Sequence, residues 1–304
     1  MPGLTYPPHL LIWPRFSRSQ SAPAIFWLCL LVLCPGAGLN GAEREQRVTD
    51  RIIADLEQSR ADNGQLHQGQ PQWLQTSTGR EFLGLYQPAY GRLPRRVVVL
   101  VHGMGGHADW PDVIAPLRRQ LPQSGWSTLS IQMPLLPVRQ PVEYYGRTVT
   151  EANRRIAAAV DFLRSRNYDI VVLAGYSFGA ASVLSYLQQQ APVEAAITIS
   201  PLAREFLQPQ VDLVKLYSGV DLPLLDIYGS EDYPEVRDGA RKRQEAADQA
   251  ENPDYEQVTL PDADHFYTRQ QNSLTAQVVA WLQRNLVQPA NIGITASEAA
   301  DALE

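Results

Sequence analysis

The sequence predicts an α/β fold with a doubly wound, mainly parallel sheet and only a small lid. Residues 96–101, Arg-Val-Val-Val-Leu-Val, form an apolar run with little polar alternation, as expected of a strand that helices cover on both faces. From this run to residue 286, strand-like segments alternate with helical segments of about ten to fifteen residues, which is typical of βαβ units. We therefore expect one α/β domain over residues 70–288.

The elements of this domain can be placed in order along the chain. The first two strands flank the turn sequence Ser77-Thr78-Gly79 and form a hairpin, and Asp109 with Pro111 marks a helix start. Strands are predicted at 73–76, 81–87, 96–101, 127–132, 169–174, 195–200, 223–228 and 257–260. Helices are predicted at 111–121, 150–164, from the turn after residue 174 to residue 189, at 234–250 and at 274–286. The segments left over for a lid are 134–149 and 201–222.

A helix and a linker precede the domain at residues 43–69. Within 43–58, the apolar residues Val48, Ile52, Ile53 and Leu56 recur at helical spacing, so we expect this helix to pack on the domain that follows. The next residues are rich in Asp, Asn, Gly and Gln, which indicates a linker.

The N-terminus has the order of a secretory signal. Arg15 and Arg18 precede an apolar run at 22–33, and small or turn-forming residues follow at 35–42. We expect residues 1–42 to be a signal peptide cleaved after Ala42, or an uncleaved anchor that tethers the protein to the inner membrane through residues 22–34. The sequence thus predicts a periplasmic or secreted protein. The acidic, Ala-rich tail at 289–304 is expected to be disordered.

Composition excludes several classes of protein. With 44% hydrophobic and 19% charged residues, the chain has a globular composition, and its net charge of −6 with no basic patch argues against a nucleic-acid partner. The basic cluster at 241–243 is interpreted as a solvated helix face. Both cysteines, Cys29 and Cys34, lie in the leader, so the mature domain has no disulfide and no thiolate nucleophile or metal ligand.

The candidate nucleophile is Ser177. The sequence Gly175-Tyr176-Ser177-Phe178-Gly179 follows a predicted buried strand and opens a helix, which is the context in which G-x-S-x-G forms a nucleophile elbow. A serine needs a base to remove its proton. His265 is the candidate base, because it lies after the last predicted strand.

The imidazole in turn needs a carboxylate to orient it. Asp232 lies at the carboxyl end of the strand between the serine and the histidine, where functional groups of open α/β sheets collect. Glu231, Asp226 and Asp264 are competing carboxylates.

Two backbone N–H groups, those of Phe178 and Met104, are expected to form the oxyanion hole, and neither a metal nor an organic cofactor is needed. Trp110, Tyr176 and Phe266 flank the motifs and favour an apolar acyl or aromatic substrate, although core packing accounts for them equally well.

These motifs resemble those of the α/β-hydrolase superfamily, over about 200 residues and in the order Ser, Asp, His. Residues 100–111, LVHGMGGHADWP, followed by IAPLR at 114–118 and Gly125-Trp126, are similar to the bacterial DUF3530 family of exported, hydrolase-like proteins. The resemblance implies the α/β-hydrolase fold.

The sequence therefore predicts an exported serine hydrolase that cleaves an ester or related acyl bond of a small-molecule or acyl substrate. Two alternatives use the same fold. One is a non-catalytic envelope binding protein, and the other is a cofactor-independent lyase or perhydrolase.

Overall fold

The structure is a computed structural model that describes residues 40–63, 69–91, 95–189 and 191–287. Residues 1–39 of the expected signal peptide, which include the tether at 22–34, lie outside the described residues, as do part of the linker and the tail at 289–304. Residues 40–42, at the expected cleavage point, are described, and Gly41 and Ala42 belong to the first helix. The strands are β1 (Gln70–Gln75), β2 (Glu81–Gln87), β3 (Arg96–Val101), β4 (Ser127–Ile131), β5 (Ile170–Tyr176), β6 (Ala195–Ile199), β7 (Leu224–Gly229) and β8 (Tyr255–Leu260). The α-helices are α1 (Gly41–Asn63), α2 (Ile114–Gln120), α3 (Val149–Ser165), α4 (Phe178–Leu187), α5 (Leu213–Tyr217), α6 (Pro234–Asp238), α7 (Ala240–Gln249) and α8 (Gln271–Leu286), and 3-10 turns cover Leu121–Ser124 and Val142–Thr148.

The strands form one sheet in the order β1-β2-β4-β3-β5-β6-β7-β8. The pairs β1/β2 and β2/β4 are antiparallel, and the remaining five pairs are parallel. Val101 at the end of β3 lies opposite Gly175 of β5. Because parallel strands end at a common edge, the loops after β3, β5, β6, β7 and β8 converge there.

Helices bury both faces of the sheet, as the apolar runs predict. Val97, Val99 and Val101 of β3 belong to a core cluster with apolar residues of α3 and α4. Val98 and Leu100 point the other way and belong to a cluster with residues of α2 and α8. Alternate residues of one strand therefore enter two cores, which explains the absence of polar alternation in β3.

Helix α1 packs against the antiparallel end of the sheet. Ile52 and Leu56 are buried with Leu83 and Leu85 of β2. A reciprocal cap opens the helix: the Asn40 side chain accepts the Glu43 N–H at 2.9 Å, and the Glu43 carboxylate accepts the Asn40 N–H at 3.1 Å. None of the helices in the described ranges is both long enough and apolar enough to span a bilayer.

Three local predictions differ from the structure. Asp109 does not cap the helix after it, because its carboxylate pairs with Arg118 at 2.6 Å and Arg119 at 3.1 Å, and α2 begins only at Ile114. The helix predicted at 234–250 is interrupted at Gly239 to give α6 and α7. Helix α1 extends to Asn63, into the predicted linker.

The interpretation of 241–243 as a solvated face was wrong for one residue. Arg241 and Lys242 are exposed, but Arg243 is buried and donates from Nε to the fully buried Asp226 at 2.7 Å. Asp226 also accepts hydrogen bonds from Tyr255 and Gln257. The charged side chain is stable inside because a carboxylate from β7 compensates it.

Candidate active site

Ser177 lies in the sharp turn between β5 and α4. Its backbone has φ 56° and ψ −121°, a conformation that costs a non-glycine residue about 1–3 kcal/mol. The turn depends on close backbone packing: a Cβ added to Gly179 would lie 2.3 Å from the Val101 carbonyl oxygen, and one added to Gly175 would lie 2.6 Å from Ala180 Cα. The two motif glycines therefore let α4 approach β3 and β5 closely enough to present the serine.

The structure brings Ser177, His265 and Asp232 together. His265 Nε2 lies 3.1 Å from Ser177 Oγ, and His265 Nδ1 lies 2.7 Å from Asp232 Oδ1. All three side chains are buried, with residue exposures of 7%, 5% and 3%. Since an ionised carboxylate only accepts, the proton of the neutral imidazole is on Nδ1, and Nε2 is left to accept from the serine.

Asp232 is held by groups beyond the histidine. Its Oδ1 accepts the Tyr233 backbone N–H at 2.7 Å, and its Oδ2 accepts a short hydrogen bond from the Ser200 hydroxyl. The Tyr267 hydroxyl lies 2.9 Å from Ser200 Oγ. Ser200 and Tyr267 are buried with positive φ values of 48° and 54°. The competing carboxylates Glu231, Asp226 and Asp264 do not contact the His265 ring by hydrogen bonds, among the residues described.

The predicted oxyanion donors border the serine. Phe178 is the first residue of α4, and Met104 belongs to the loop after β3 that lines the serine's cavity. Neither backbone N–H donates to an acceptor among the described residues. A Cβ added to Gly103 would lie 2.9 Å from Ser177 Cβ, so only a glycine at 103 lets this loop reach the serine.

The buried side chain of His102 holds the same loop by hydrogen bonds. Its Nε2 accepts the Met133 backbone N–H at 2.9 Å, and its Nδ1 therefore carries the proton and donates to the Gly103 carbonyl at 2.8 Å. Burial lowers the pKa of His102 to about 3, so the ring stays neutral in the folded protein near neutral pH. A neutral imidazole thus ties the loop after β3 to the segment after β4.

A cavity of about 230 Å³ opens over Ser177 and His265. The predicted pocket residues Trp110, Tyr176 and Phe266 all line it, together with Gly103, Met104, Gly106, Leu202, Arg204 and Tyr233. The side chain of Phe178 is not part of this wall and packs edge-on against Tyr145, with ring centroids 6.1 Å apart. The cavity therefore offers an apolar, aromatic surface next to the candidate nucleophile.

Two aromatic residues also support the histidine. The ring of Tyr233 stacks on the imidazole, with centroids 4.4 Å apart. The Tyr176 hydroxyl donates to the His265 carbonyl at 3.0 Å, and burial, followed by the nearby Asp232 carboxylate, raises the pKa of Tyr176 well above its ordinary value. Tyr176 therefore stays protonated and holds the loop that carries the base.

Sequence reasoning missed several residues of the site. Tyr233 follows Asp232 directly and could have been found from that position. Ser200 lies at the carboxyl end of β6, where functional groups collect. Arg204, Leu202 and Tyr267 carry no sequence signal. Within the described ranges, no group of three or more His, Cys, Asp or Glu side chains converges as metal ligands would.

Comparisons with known proteins agree with this architecture. A family described as a protein of unknown function, DUF3530, matches residues 37–153 and 140–284. No curated protein sequence matches the chain.

Solved structures match over most of the domain. Est1E from Butyrivibrio proteoclasticus matches with a TM-score of 0.59 and 15% identity, over 72% of this chain and 100% of that one. XC6422 from Xanthomonas campestris, described as an α/β serine hydrolase without a lid, has a TM-score of 0.55 and 19% identity over 73% and 97%. The Pyrococcus furiosus esterase Pf2001 has a TM-score of 0.58 and 14% identity over 72% and 91%. The similarity to these solved structures shows that this protein has the α/β-hydrolase fold. Because the family match spans most of the chain, the protein belongs to the DUF3530 family.

Proposed function

We propose that this protein is a serine hydrolase that cleaves an ester or related acyl bond through an acyl-enzyme intermediate. The observation that carries the proposal is the continuous hydrogen-bonded path from Ser177 Oγ through the His265 imidazole to Asp232, with distances of 3.1 and 2.7 Å. Such a path lets a serine hydroxyl act as a nucleophile at neutral pH.

The reaction has two steps. Ser177 Oγ attacks the carbonyl carbon as His265 Nε2 takes its proton, and the N–H groups of Met104 and Phe178 stabilise the negative oxygen. His265 then gives that proton to the leaving alcohol, which departs and leaves an ester on Ser177. Water, deprotonated by His265, attacks this ester, and the acid is released as the serine regains its proton.

The cavity favours a small apolar or aromatic acyl group. Trp110, Tyr176, Tyr233 and Phe266 form its aromatic walls, and its volume of about 230 Å³ is below the range of about 300–1,000 Å³ that is typical of larger ligand sites. Est1E from Butyrivibrio proteoclasticus, which shares the fold, has a structure described with ferulic acid bound. That ligand is an aromatic acid of the kind these walls would accept.

Covalent labelling tests the nucleophile. A fluorophosphonate probe should modify Ser177, as located by mass spectrometry, and the label should be lost in Ser177→Ala and His265→Ala. Hydrolysis of short 4-nitrophenyl esters should fall by at least about 10³-fold in both variants. Ser185→Ala, a serine on α4 that hydrogen-bonds Asn153 at 3.1 Å, is the matched control and should keep wild-type labelling and turnover.

An unlabelled Ser177 together with no ester turnover would contradict the proposal and favour a binding protein. Turnover that requires added peroxide would instead identify a perhydrolase.

We also propose that the protein is exported to the bacterial envelope. Support comes from the order of the leader, in which Arg15 and Arg18 precede the apolar run at 22–33. Cell fractionation should find the protein in the periplasm or medium, and a full-length band in the membrane pellet would indicate an anchor. N-terminal sequencing would then show where the leader is cleaved. A mature chain that begins at Glu43 lacks Asn40 and so loses the cap of α1, whereas one that begins before Asn40 keeps it. A full-length cytoplasmic protein would overturn the proposal.

A further inference from the structure

The cavity over Ser177 contains one feature that ester hydrolysis does not use, the side chain of Arg204. This residue lies in the loop between β6 and α5, and its side chain is 31% exposed. Among the described residues that line the cavity, Arg204 is the one permanent cation, and no Asp or Glu side chain is part of the wall. The other lining residues are glycine, apolar, aromatic, Ser177 and His265.

Arg204 is close to the reacting groups. Its guanidinium lies 5.3 Å from the centroid of the Tyr233 ring, and the same ring stacks on His265 at 4.4 Å. One aromatic ring therefore separates the cation from the candidate base. Arg204 and Ser177 line the same cavity of about 230 Å³, so a substrate whose carbonyl is at Ser177 can also contact Arg204.

The partner of Arg204 does not occupy the cavity. Arg204 Nη1 donates to Glu235 at 2.5 Å, but Glu235 does not line the cavity over Ser177; it lines a second cavity of about 490 Å³, which Arg204 also borders. Nε and Nη2 of Arg204 have no hydrogen-bond acceptor in the described part of the chain. Guanidinium N–H groups bind carboxylates in pairs, so a second carboxylate can be accepted from the cavity side while Glu235 stays bound.

We propose that Arg204 determines specificity by binding a carboxylate on the acyl part of the substrate, so that the preferred substrates are monoesters of small dicarboxylic or carboxyaryl acids. This proposal rests on the hydrolase function proposed above and adds the class of substrate to it. Glu235 positions the guanidinium, and Tyr233 supports its face.

The test compares two esters that differ in one charge. The first is the mono-4-nitrophenyl ester of adipic acid with a free carboxylate, and the second is the same compound with that carboxylate methylated. In the wild type, we expect kcat/KM to be higher for the anionic ester, and we expect added salt to reduce this preference. In Arg204→Met, which keeps the aliphatic stem, the anionic-to-neutral ratio should fall by about ten- to a hundredfold, the effect of losing a charge-assisted hydrogen-bonded pair.

Arg241→Met is the matched control. Arg241 is exposed on α7 and pairs with Glu245 at 2.7 Å, much as Arg204 pairs with Glu235, but it does not line the cavity. In this variant, the ratio of kcat/KM for the anionic ester to that for the neutral ester should stay within about twofold of the wild-type ratio. A ratio that is unchanged in Arg204→Met, while both esters are still hydrolysed, would overturn the proposal and leave the hydrolase function intact.

Binding can be measured without turnover. In the Ser177→Ala protein, titration with monomethyl adipate and with dimethyl adipate can be followed by calorimetry. The monoanion should bind at least about tenfold more tightly than the diester, and Arg204→Met in the same background should remove the difference. Equal affinities for the two compounds would overturn the proposed role of Arg204, and this test does not require that the protein hydrolyse either ester. Absence of ester turnover in the wild type, with the difference in affinity intact, would contradict only the hydrolase function.

Discussion

At Asp232, the hydrogen bonds determine which hydroxyl donates to which. An ionised carboxylate has no proton to give, so the Ser200 hydroxyl donates to Asp232. Ser200 has a single proton, and the contact of 2.9 Å with Tyr267 therefore has Tyr267 as donor, with the Ile227 carbonyl as a second, longer acceptor of the same proton at 3.3 Å. The two hydroxyls form a chain that ends on the carboxylate and holds it toward His265.

This chain predicts the effect of Tyr267→Phe. Loss of the tyrosine hydroxyl leaves Ser200 Oγ without its donor and loosens Asp232, so kcat should fall by about three- to tenfold, the equivalent of about 1 kcal/mol. KM should change little, because Tyr267 does not line the cavity. Steady-state kinetics with a 4-nitrophenyl ester would measure both constants.

Tyr255→Phe provides a control for stability. Tyr255 donates to the buried Asp226 at 2.9 Å, so this variant also loses a hydrogen bond from a tyrosine hydroxyl, but away from the site. Unfolding in urea should show similar losses in the two variants, but only Tyr267→Phe should lower kcat. Equal loss of kcat in both would mean that Tyr267 acts through general stability alone.

Single residues of the site differ in how well sequence could locate them. Ser177, Asp232 and His265 each follow a strand in the order of a known motif, and the shared edge of parallel strands brings them together. The position of Arg204 depends on the path of its loop, in which Leu207 is buried in one apolar cluster with Tyr145 of another loop. No local pattern encodes a contact between two loops.

Among the elements, α1 is linked to the domain by a buried ion pair. Glu45 accepts Arg155 Nη2 at 2.8 Å and the Leu135 backbone N–H at 2.9 Å. The Arg155 side chain is fully buried and also donates from Nη1 to the Gln132 carbonyl at 2.8 Å. Helix α1 therefore anchors the segment after β4, which in turn contacts His102.

We predict that Glu45→Ala destabilises the protein by about 3 kcal/mol. The variant leaves a buried guanidinium without its main partner, and the cost stays near the lower end of the usual range because Glu151 still lies 3.2 Å from Arg155. The free energy of unfolding in urea would measure it. Glu57→Ala on the exposed face of α1 should change stability by less than about 0.5 kcal/mol, and an equal loss in both would assign the effect to the helix itself.

Element boundaries were harder to predict than the existence of the elements. Asp109 is of a residue type that often caps helices. Its carboxylate instead pairs with the guanidinium of Arg118, which is buried and would otherwise lack a counter-charge. Arg243 was misjudged because its sequence neighbours are ordinary surface residues. The useful signal was Asp226, a carboxylate within an otherwise apolar strand, since such a group requires a buried partner.

For the whole molecule, fold class was the most predictable property. The alternation of strands and helices predicts the parallel pairs, and the apolar run of β3 shows that helices cover it on both faces. The order of the strands is known only from the structure. Tertiary polar contacts then adjust the local structure without altering this order.

Burial of His102 should make the free energy of unfolding depend on pH. Its pKa is about 3 in the folded protein against a usual value of 6.5, so below about pH 6.5 the unfolded chain binds a proton that the folded chain does not. Stability is therefore lost as the pH falls from about 6.5 toward 3. Between pH 7 and pH 5 this residue alone should lower the free energy of unfolding by about 2 kcal/mol.

Urea unfolding of wild type and His102→Gln at both pH values would measure this contribution. The variant should lose about 2 kcal/mol less than the wild type over the same interval, whatever its stability at pH 7. Parallel losses in the two proteins would show that other groups account for the acid sensitivity.

The strained backbone at Ser177 has a consequence for how this lineage can evolve. Glycine at this position would accept φ 56° without penalty, so drift toward a more durable protein would discard the hydroxyl. The glycines beside it are needed to bring the helix and strands together whether or not chemistry takes place. Loss of the hydroxyl would thus leave the architecture intact, and the fold alone gives no reason for a serine at this unfavourable dihedral.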